Sequence, residues 1–337
     1  MIGVLAAALL RVGAPPEPIA VRAVPFPGLD GARDVGCLSL RAGVTLEARA
    51  DGFGGYSDLV LDVGNARAAM VSDAGHLVRF RPVIDAAGDL VGLADAERVP
   101  ITDRDGSVLG KRDGDAEGLA RLGEGFAVTF EGDHRVARMR TDGVLGETSR
   151  PSADLARTFG ANSGLEALTA MPDGTLLAMS EGTDADGHAV VLLGRMDRPL
   201  AEWTRARYRP APAFSVTGAA VDPGTGDLFV LERAYSPWRG VRMRIVRVPA
   251  SRLDEDALRG AQLTRMGFLE GVDNMEGIAA ARMPDGALRL YLVSDDNFSA
   301  AQRTVALTLG LAPGCEDGDA AQAPARRDAA PQEAVEE

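Results

Sequence analysis

Carboxylates recur at regular places in this chain of 337 residues. Five pairs of positions carry the pattern: Asp58/Asp73, Glu117/Glu131, Glu166/Glu181, Gly218/Glu232 and Glu276/Asp295, separated by 15, 14, 15, 14 and 19 residues. Nine of the ten positions are acidic. Turn capping or pairing with arginine explains any one of them, but suits a register repeated five times less well. Converging carboxylates repel, by roughly 4 kcal/mol for two at about 4 Å in an effective dielectric of about 20. Such a ring needs cations. One source is a hard divalent metal bound through about six to eight oxygens. Oxygen donors without Cys or His clusters favour Ca²⁺ over Zn²⁺, and the chain has only 3 histidines. The other source is the chain's own bases: His76, His134, Arg135, Arg233 and Arg303 all lie beside the acids.

The expected metal ligands are Asp58, Glu117, Glu166, Glu276 and Asp295. Asp73, Glu131, Glu181, Glu232, Asn162, Asn274 and Asn297 are expected around the same mouth, the asparagines as neutral oxygen donors. A Ca²⁺ held there would polarise a phosphoryl or carbonyl oxygen and orient a water for attack. Arg135, Arg233 and Arg303 would clamp an anionic substrate through paired N–H donors. His134 is the candidate proton carrier, because its intrinsic pKa is near neutrality. A structural histidine bonded to a neighbouring acid is the other reading of it. The chain has no Gly-x-Ser-x-Gly elbow, so covalent serine catalysis is disfavoured. A lactone or carboxyl-ester hydrolase stays open, as does a non-catalytic propeller that binds a ligand or protein.

The acids must be positioned by the elements between them. Each unit is a short apolar run, a turn and a second apolar run. Pro172-Asp173-Gly174, Pro223-Gly224-Thr225-Gly226 and Pro284-Asp285-Gly286 are hairpin turns. A hairpin returns the chain to its starting level, so both members of a pair share one face. A third apolar run follows in most units, as in Arg242 to Val248. Successive units are 59, 49, 52 and 58 residues apart. A period near 50 residues with three or four strands predicts an all-β propeller of five or six blades. The first strands would line its channel. A sixth blade could lie between Phe80 and Lys111, where the spacing is loosest, and the strand around Cys37 to Leu40 is expected to complete the last blade and close the ring. Helix-like segments, Ser152 to Phe159 and Ser251 to Leu258, fall between units.

Charge and the chain ends narrow the function class. With 36 Lys+Arg against 49 Asp+Glu the net charge is −13, the wrong sign for a general nucleic-acid binder. No apolar run is long enough to span a membrane. Lys111 is the only lysine, which reads as a compositional bias. Met1 to Leu10 is an apolar stretch of signal-peptide length, with small residues at Val12-Gly13-Ala14 but no preceding Lys or Arg. Residues 1–24 are therefore expected to be a signal peptide and linker, residues 25–315 the propeller, and the acidic Ala/Pro tail, residues 316–337, disordered. Periplasmic or extracellular location follows if the leader is real, and cytoplasmic location if it is not. Cys37 and Cys315 either pair, in an exported protein, or are two free thiols. The expected partner is a small anionic or ester substrate, bound by a monomer.

Several segments resemble a known family. They include Phe53-Gly54-Gly55-Tyr56-Ser57-Asp58, Asp115-Ala116-Glu117-Gly118-Leu119-Ala120, Phe130-Glu131-Gly132-Asp133-His134-Arg135 and Asn162-Ser163-Gly164-Leu165-Glu166. Leu231-Glu232-Arg233, Asp273-Asn274-Met275-Glu276-Gly277-Ile278, Ser294-Asp295-Asp296-Asn297-Phe298-Ser299 and Gln302-Arg303-Thr304 complete the set. Together, over roughly residues 35 to 311, they are similar to the bacterial "esterase-like activity of phytase" family. The resemblance implies a β-propeller, usually exported, with hydrolysis of phosphate or other esters as the activity its name suggests. The fourth unit departs from the pattern at Thr217-Gly218, where no first-strand acid stands.

Overall fold

The computed structural model describes residues 15–315 apart from residues 28, 30 and 160–162. The expected leader up to residue 14, the tail 316–337 and Asn162 lie outside the described residues. Short apolar strands joined by glycine turns cannot bury both faces alone, so they stack as sheets. The first blade runs outward through Tyr56–Asp62, Arg67–Ser72, His76–Ile84 and Leu90–Pro100. The second is Ala116–Leu122, Gly125–Phe130, Arg135–Met139 and Leu145–Ser149. The third is Leu165–Ala170, Leu176–Thr183, Ala189–Gly194 and Thr204–Tyr208. The fourth is Ser215–Val221, Leu228–Ser236, Gly240–Val248 and Ala261–Gly267. The fifth takes Asn274–Arg282, Leu288–Asp295 and Val305–Leu311, then Leu38–Ala48.

Each first strand packs on the next around the ring, and the fifth blade's packs on the first blade's. The molecule is a five-bladed propeller. The stretch between Phe80 and Lys111 supplies the outer strand of the first blade rather than a sixth blade. Ser251 to Leu258 is not a helix: a single 3₁₀ turn, Ala250–Arg252, leads to a two-residue strand, Ala257–Leu258, parallel to Arg207 and Tyr208.

Leu38–Ala48 pairs antiparallel with Val305–Leu311, so the N-terminal strand closes the ring as the period implied. Cys37 and Cys315 form a disulfide across that closure, with Cα atoms 5.4 Å apart. Such a bond fits an oxidising compartment. Glu17–Pro18 pairs with the outer edge of the first blade, and Val21–Pro25 with Leu38–Ala48. The sheets therefore take in chain ahead of residue 25.

The core lies between neighbouring blades. Leu231 and Ile245 of the fourth meet Leu290 and Leu307 of the fifth, and Val71 and Leu77 of the first meet Leu119 and Val128 of the second. The first strands are crowded. A Cβ on Gly277 would lie 2.7 Å from the Asp58 Cα, and one on Gly218 would lie 2.5 Å from the Glu276 carbonyl oxygen. This explains the small residues there. Further along the axis the channel narrows to about 130 Å³ between residues such as Leu59, Leu119, Leu168, Ala219 and Ile278. Among the described residues no helix is long and apolar enough to cross a membrane.

Candidate metal centre at the channel mouth

Every first strand breaks register with its neighbour once. The breaks fall between Tyr56 and Asp58, Leu165 and Ala167, Val216 and Gly218, and Met275 and Gly277, with the matching break in the second blade opposite Val128/Phe130. A bulge inserts one residue and re-aims its side chain. The bulged residues are Ser57, Glu166, Thr217 and Glu276, with Glu117 equivalent in the second blade. The second strands contribute the residue one place beyond the pair at the break: Asp73, Glu131 and Glu181, which are unpaired in the ladder, and Arg233 and Asp295, which pair with Ser215 and Asn274.

This register moves two residues away from their expected places. Asp58 sits one position past the bulge, equivalent to Gly118, Ala167, Gly218 and Gly277. Its side chain fills the space those small residues leave. One oxygen accepts the N–H of Leu59 and the other that of Leu119, each at 2.8 Å, and the N–H of Ile278 bonds it as well. Asp58 is thus a buried staple between the first, second and fifth blades rather than a metal ligand. Glu232 is likewise not at the mouth. It is fully buried, accepting from the Tyr208 hydroxyl at 2.5 Å and the Ala211 N–H at 3.1 Å. Arg233 takes the mouth position instead.

The five expected ligands do not converge on one point. Among the described residues, the carboxylates whose oxygens all lie within 4.8 Å of one another are those of Asp115, Glu117 and Glu131. Glu166 lies beside Glu117, and each carboxylate disfavours charge on the other. Glu276 accepts from the Asn274 amide at 3.0 Å and lies 3.3 Å from Arg233 Nε. The Asn274 amide also reaches Asp295 at 3.4 Å. Arg233 binds the Asn274 oxygen at 2.5 Å and lies 3.4 Å from Glu181.

Arg135 and Arg303 do not reach this network. The Arg135 guanidinium stacks 3.8 Å from the Phe130 ring centroid and donates to the Asp133 and Asp113 carbonyls, so it is a buried strut. Arg303 lies 3.5 Å from Asp273 and over Phe26. Asn297 turns its amide to Gln302. His134 packs edge-on against Phe159, ring centroids 5.3 Å apart, beside Gly164. His76 begins the third strand of the first blade, where burial lowers its pKa.

Two mouth residues were passed over in the sequence. Asp115 stands two places before Glu117, and side chains two apart on an extended strand share a side. That spacing was the available signal. Lys111 gave none beyond its rarity, yet its ammonium pairs with Asp73 at 2.7 Å. Lys111 and Arg233 thus face Asp73, Asp115, Glu117, Glu131, Glu166, Glu181, Glu276 and Asp295.

The excess of acid shows in the titrations. Burial first, and then neighbouring carboxylates, push Glu131 up to about 7 and Glu166 up to about 8. Burial raises Asp295 to about 6, and Glu117 and Glu276 are held well above the usual range for the same cause. A carboxyl raised on folding adds no penalty while both states are protonated, and destabilises increasingly as pH climbs from its unfolded to its folded value. The metal-stripped protein should therefore lose stability steadily between about pH 5 and about pH 8, by about 5 °C or more in melting temperature. Calorimetric scans across that range check this. A midpoint that rises with pH would mean Lys111 and Arg233 already neutralise the ring.

The donor set fits a hard cation. It is all oxygen, three carboxylates already meet, and one oxygen of the neighbouring Asp73 is buried with no hydrogen bond.

The family model for phytase-like proteins, described as esterase-like activity of phytase, matches residues 51–298. A comparison with curated proteins finds no match. Among solved structures, a nidogen/laminin complex aligns at 12% identity and TM-score 0.42, over 78% of this chain and 86% of that one. A glucose dehydrogenase aligns at 15% and 0.38, over 90% and 98%. U3-55K aligns at 9% and 0.39, over 77% and 96%. At these scores none bears on what this chain does.

Proposed function

This chain belongs to the phytase-like family, and we infer from that premise a hydrolase-type propeller working on esters at its acidic mouth, with a hard cation held by Asp115, Glu117 and Glu131. The convergence of those three carboxylates is the observation that carries the reading. A bound Ca²⁺ would supply Lewis acidity toward a phosphoryl or carbonyl oxygen. The chain's own residues do the rest. Arg233 holds Glu181 and Glu276 in place through fixed N–H donors. Lys111, the more exposed cation, is available to an anionic group of the substrate. The narrow apolar channel behind Asp58 limits the site to the mouth face, which favours a small substrate. The Cys37–Cys315 bond supports an exported location.

Thermal unfolding of the stripped protein across a Ca²⁺ titration, with Mg²⁺ as control, tests this. At a hundredfold excess over Kd a specific site stabilises by about 2.7 kcal/mol, or about 4 °C for a domain of this size. Glu117→Gln should melt higher than the stripped wild type at about pH 8 and above, where ionising the Glu117–Glu166 pair would otherwise add repulsion. It should also lose both the Ca²⁺ response and turnover on a panel of phosphomonoesters, lactones and aryl acetates. A flat Ca²⁺ response in the wild type would sink the metal mechanism and favour a binding propeller.

A further inference from the structure

We propose that the cleft between the third and fourth blades is an oxyanion site for a phosphorylated small molecule, formed by His188, Arg207, Arg209, Arg244 and Arg259. In a chain of net charge −13, these four arginines and one histidine line a single cavity of about 460 Å³. That volume is in the usual range for small-ligand sites. The positions come from separate elements. Arg207 lies on the outer strand of the third blade, with Arg209 just past its end. Arg259 follows the short strand that pairs beside Arg207, and Arg244 comes from the fourth blade.

Two acids, Glu232 and Asp184, stand against these five bases. Arg207 and Arg259 form no ion pair among the described residues, and Arg209 donates to the Asp186 carbonyl at 3.2 Å. Arg244 forms an ion pair with the buried Glu232 at 3.5 Å, and its Nε makes no hydrogen bond. His188 Nδ1 is also buried without a hydrogen bond, 3.6 Å from Asp184. The guanidiniums of Arg242, Arg244 and Arg265 stand 5.5, 6.0 and 5.3 Å from the Phe214 ring, which adds positive potential on the fourth-blade side. Glu232 and Asp184 account for Arg244 and His188, and no ion pair accounts for Arg209 and Arg259 among the described residues. Planar guanidiniums present paired N–H donors that match tetrahedral oxyanions. Their spread across the cavity suits a ligand with more than one phosphoryl group, and the concave site in an acidic protein suits a small molecule rather than a nucleic acid.

Calorimetric titration of the full chain, stripped of divalent ions, with pyrophosphate tests the site. Saturable binding is expected at near-physiological salt. It should weaken about tenfold or more, about 1.4 kcal/mol, in Arg207→Gln/Arg259→Gln, whose side chains are exposed. Arg49→Gln/Arg67→Gln, both exposed and carried by the fifth and first blades, removes the same charge and should bind as wild type. So should Glu117→Gln, which separates this site from the acidic mouth. Absence of saturable binding, equal weakening in both arginine pairs, or loss in Glu117→Gln would each overturn the proposal.

Discussion

Asp58→Ala should destabilise the protein by about 3–6 kcal/mol, because it leaves buried N–H groups of Leu59, Leu119 and Ile278 without their acceptor. Each orphaned donor costs about 1–3 kcal/mol. The position tolerates no easy repair. Gly277 and Gly118 are glycine because the backbones approach closely there, so neighbouring side chains cannot move in. Asp58→Asn keeps one acceptor oxygen but turns an NH₂ toward an N–H, and should fall between alanine and wild type. Urea unfolding midpoints give both values. Where Asp58→Asn folds, its Ca²⁺-dependent stabilisation should survive, since neither Asp58 oxygen faces the Asp115, Glu117 and Glu131 group. Wild-type stability in Asp58→Ala would refute the staple. Loss of the Ca²⁺ response with stability intact would return Asp58 to the metal site.

Breaking the Cys37–Cys315 bond should have an effect of similar size. The cysteines are 278 residues apart, so the bond closes nearly the whole folded chain. Loop-closure entropy for such a length gives about 5–6 kcal/mol in the unfolded state. The strands it joins, Leu38–Ala48 and Val305–Leu311, already pair, so the cross-link acts on a closure that exists without it. Cys37→Ser/Cys315→Ser should therefore keep the fold, melt about 10 °C or more lower, and lose its sensitivity to reductant. A drop below about 1 kcal/mol would mean that strand pairing alone keeps the ring shut.

Much of the architecture was legible in sequence. The period near 50 residues, the Pro-Asp-Gly turns and the small residues in first strands specify hairpins stacked around an axis. Leu38 to Leu40 could be assigned to the last blade because a ring must close. The acids at both ends of each hairpin had to share a face, and Glu117, Glu166, Glu276, Glu131, Glu181 and Asp295 meet there.

The residue-level site was not legible to the same depth. Side chains alternate along a strand, so a shift of one residue reverses the side they face. The bulges make that shift, and bulges leave no mark in composition or period. Hence Asp58 passes from ligand to staple, and Glu232 goes into the core while Arg233 takes the mouth. Arg135 and Arg303 are adjacent to the acids in sequence but are held by backbone carbonyls, Phe130, Asp273 and Phe26, contacts that exist only once the blades are built. Sequence determined the ring and its acidic mouth, because those follow from periodicity and hairpin return. Tertiary structure alone decided which oxygens come within reach of one ion, because that depends on bulge register and on how closely neighbouring blades pack.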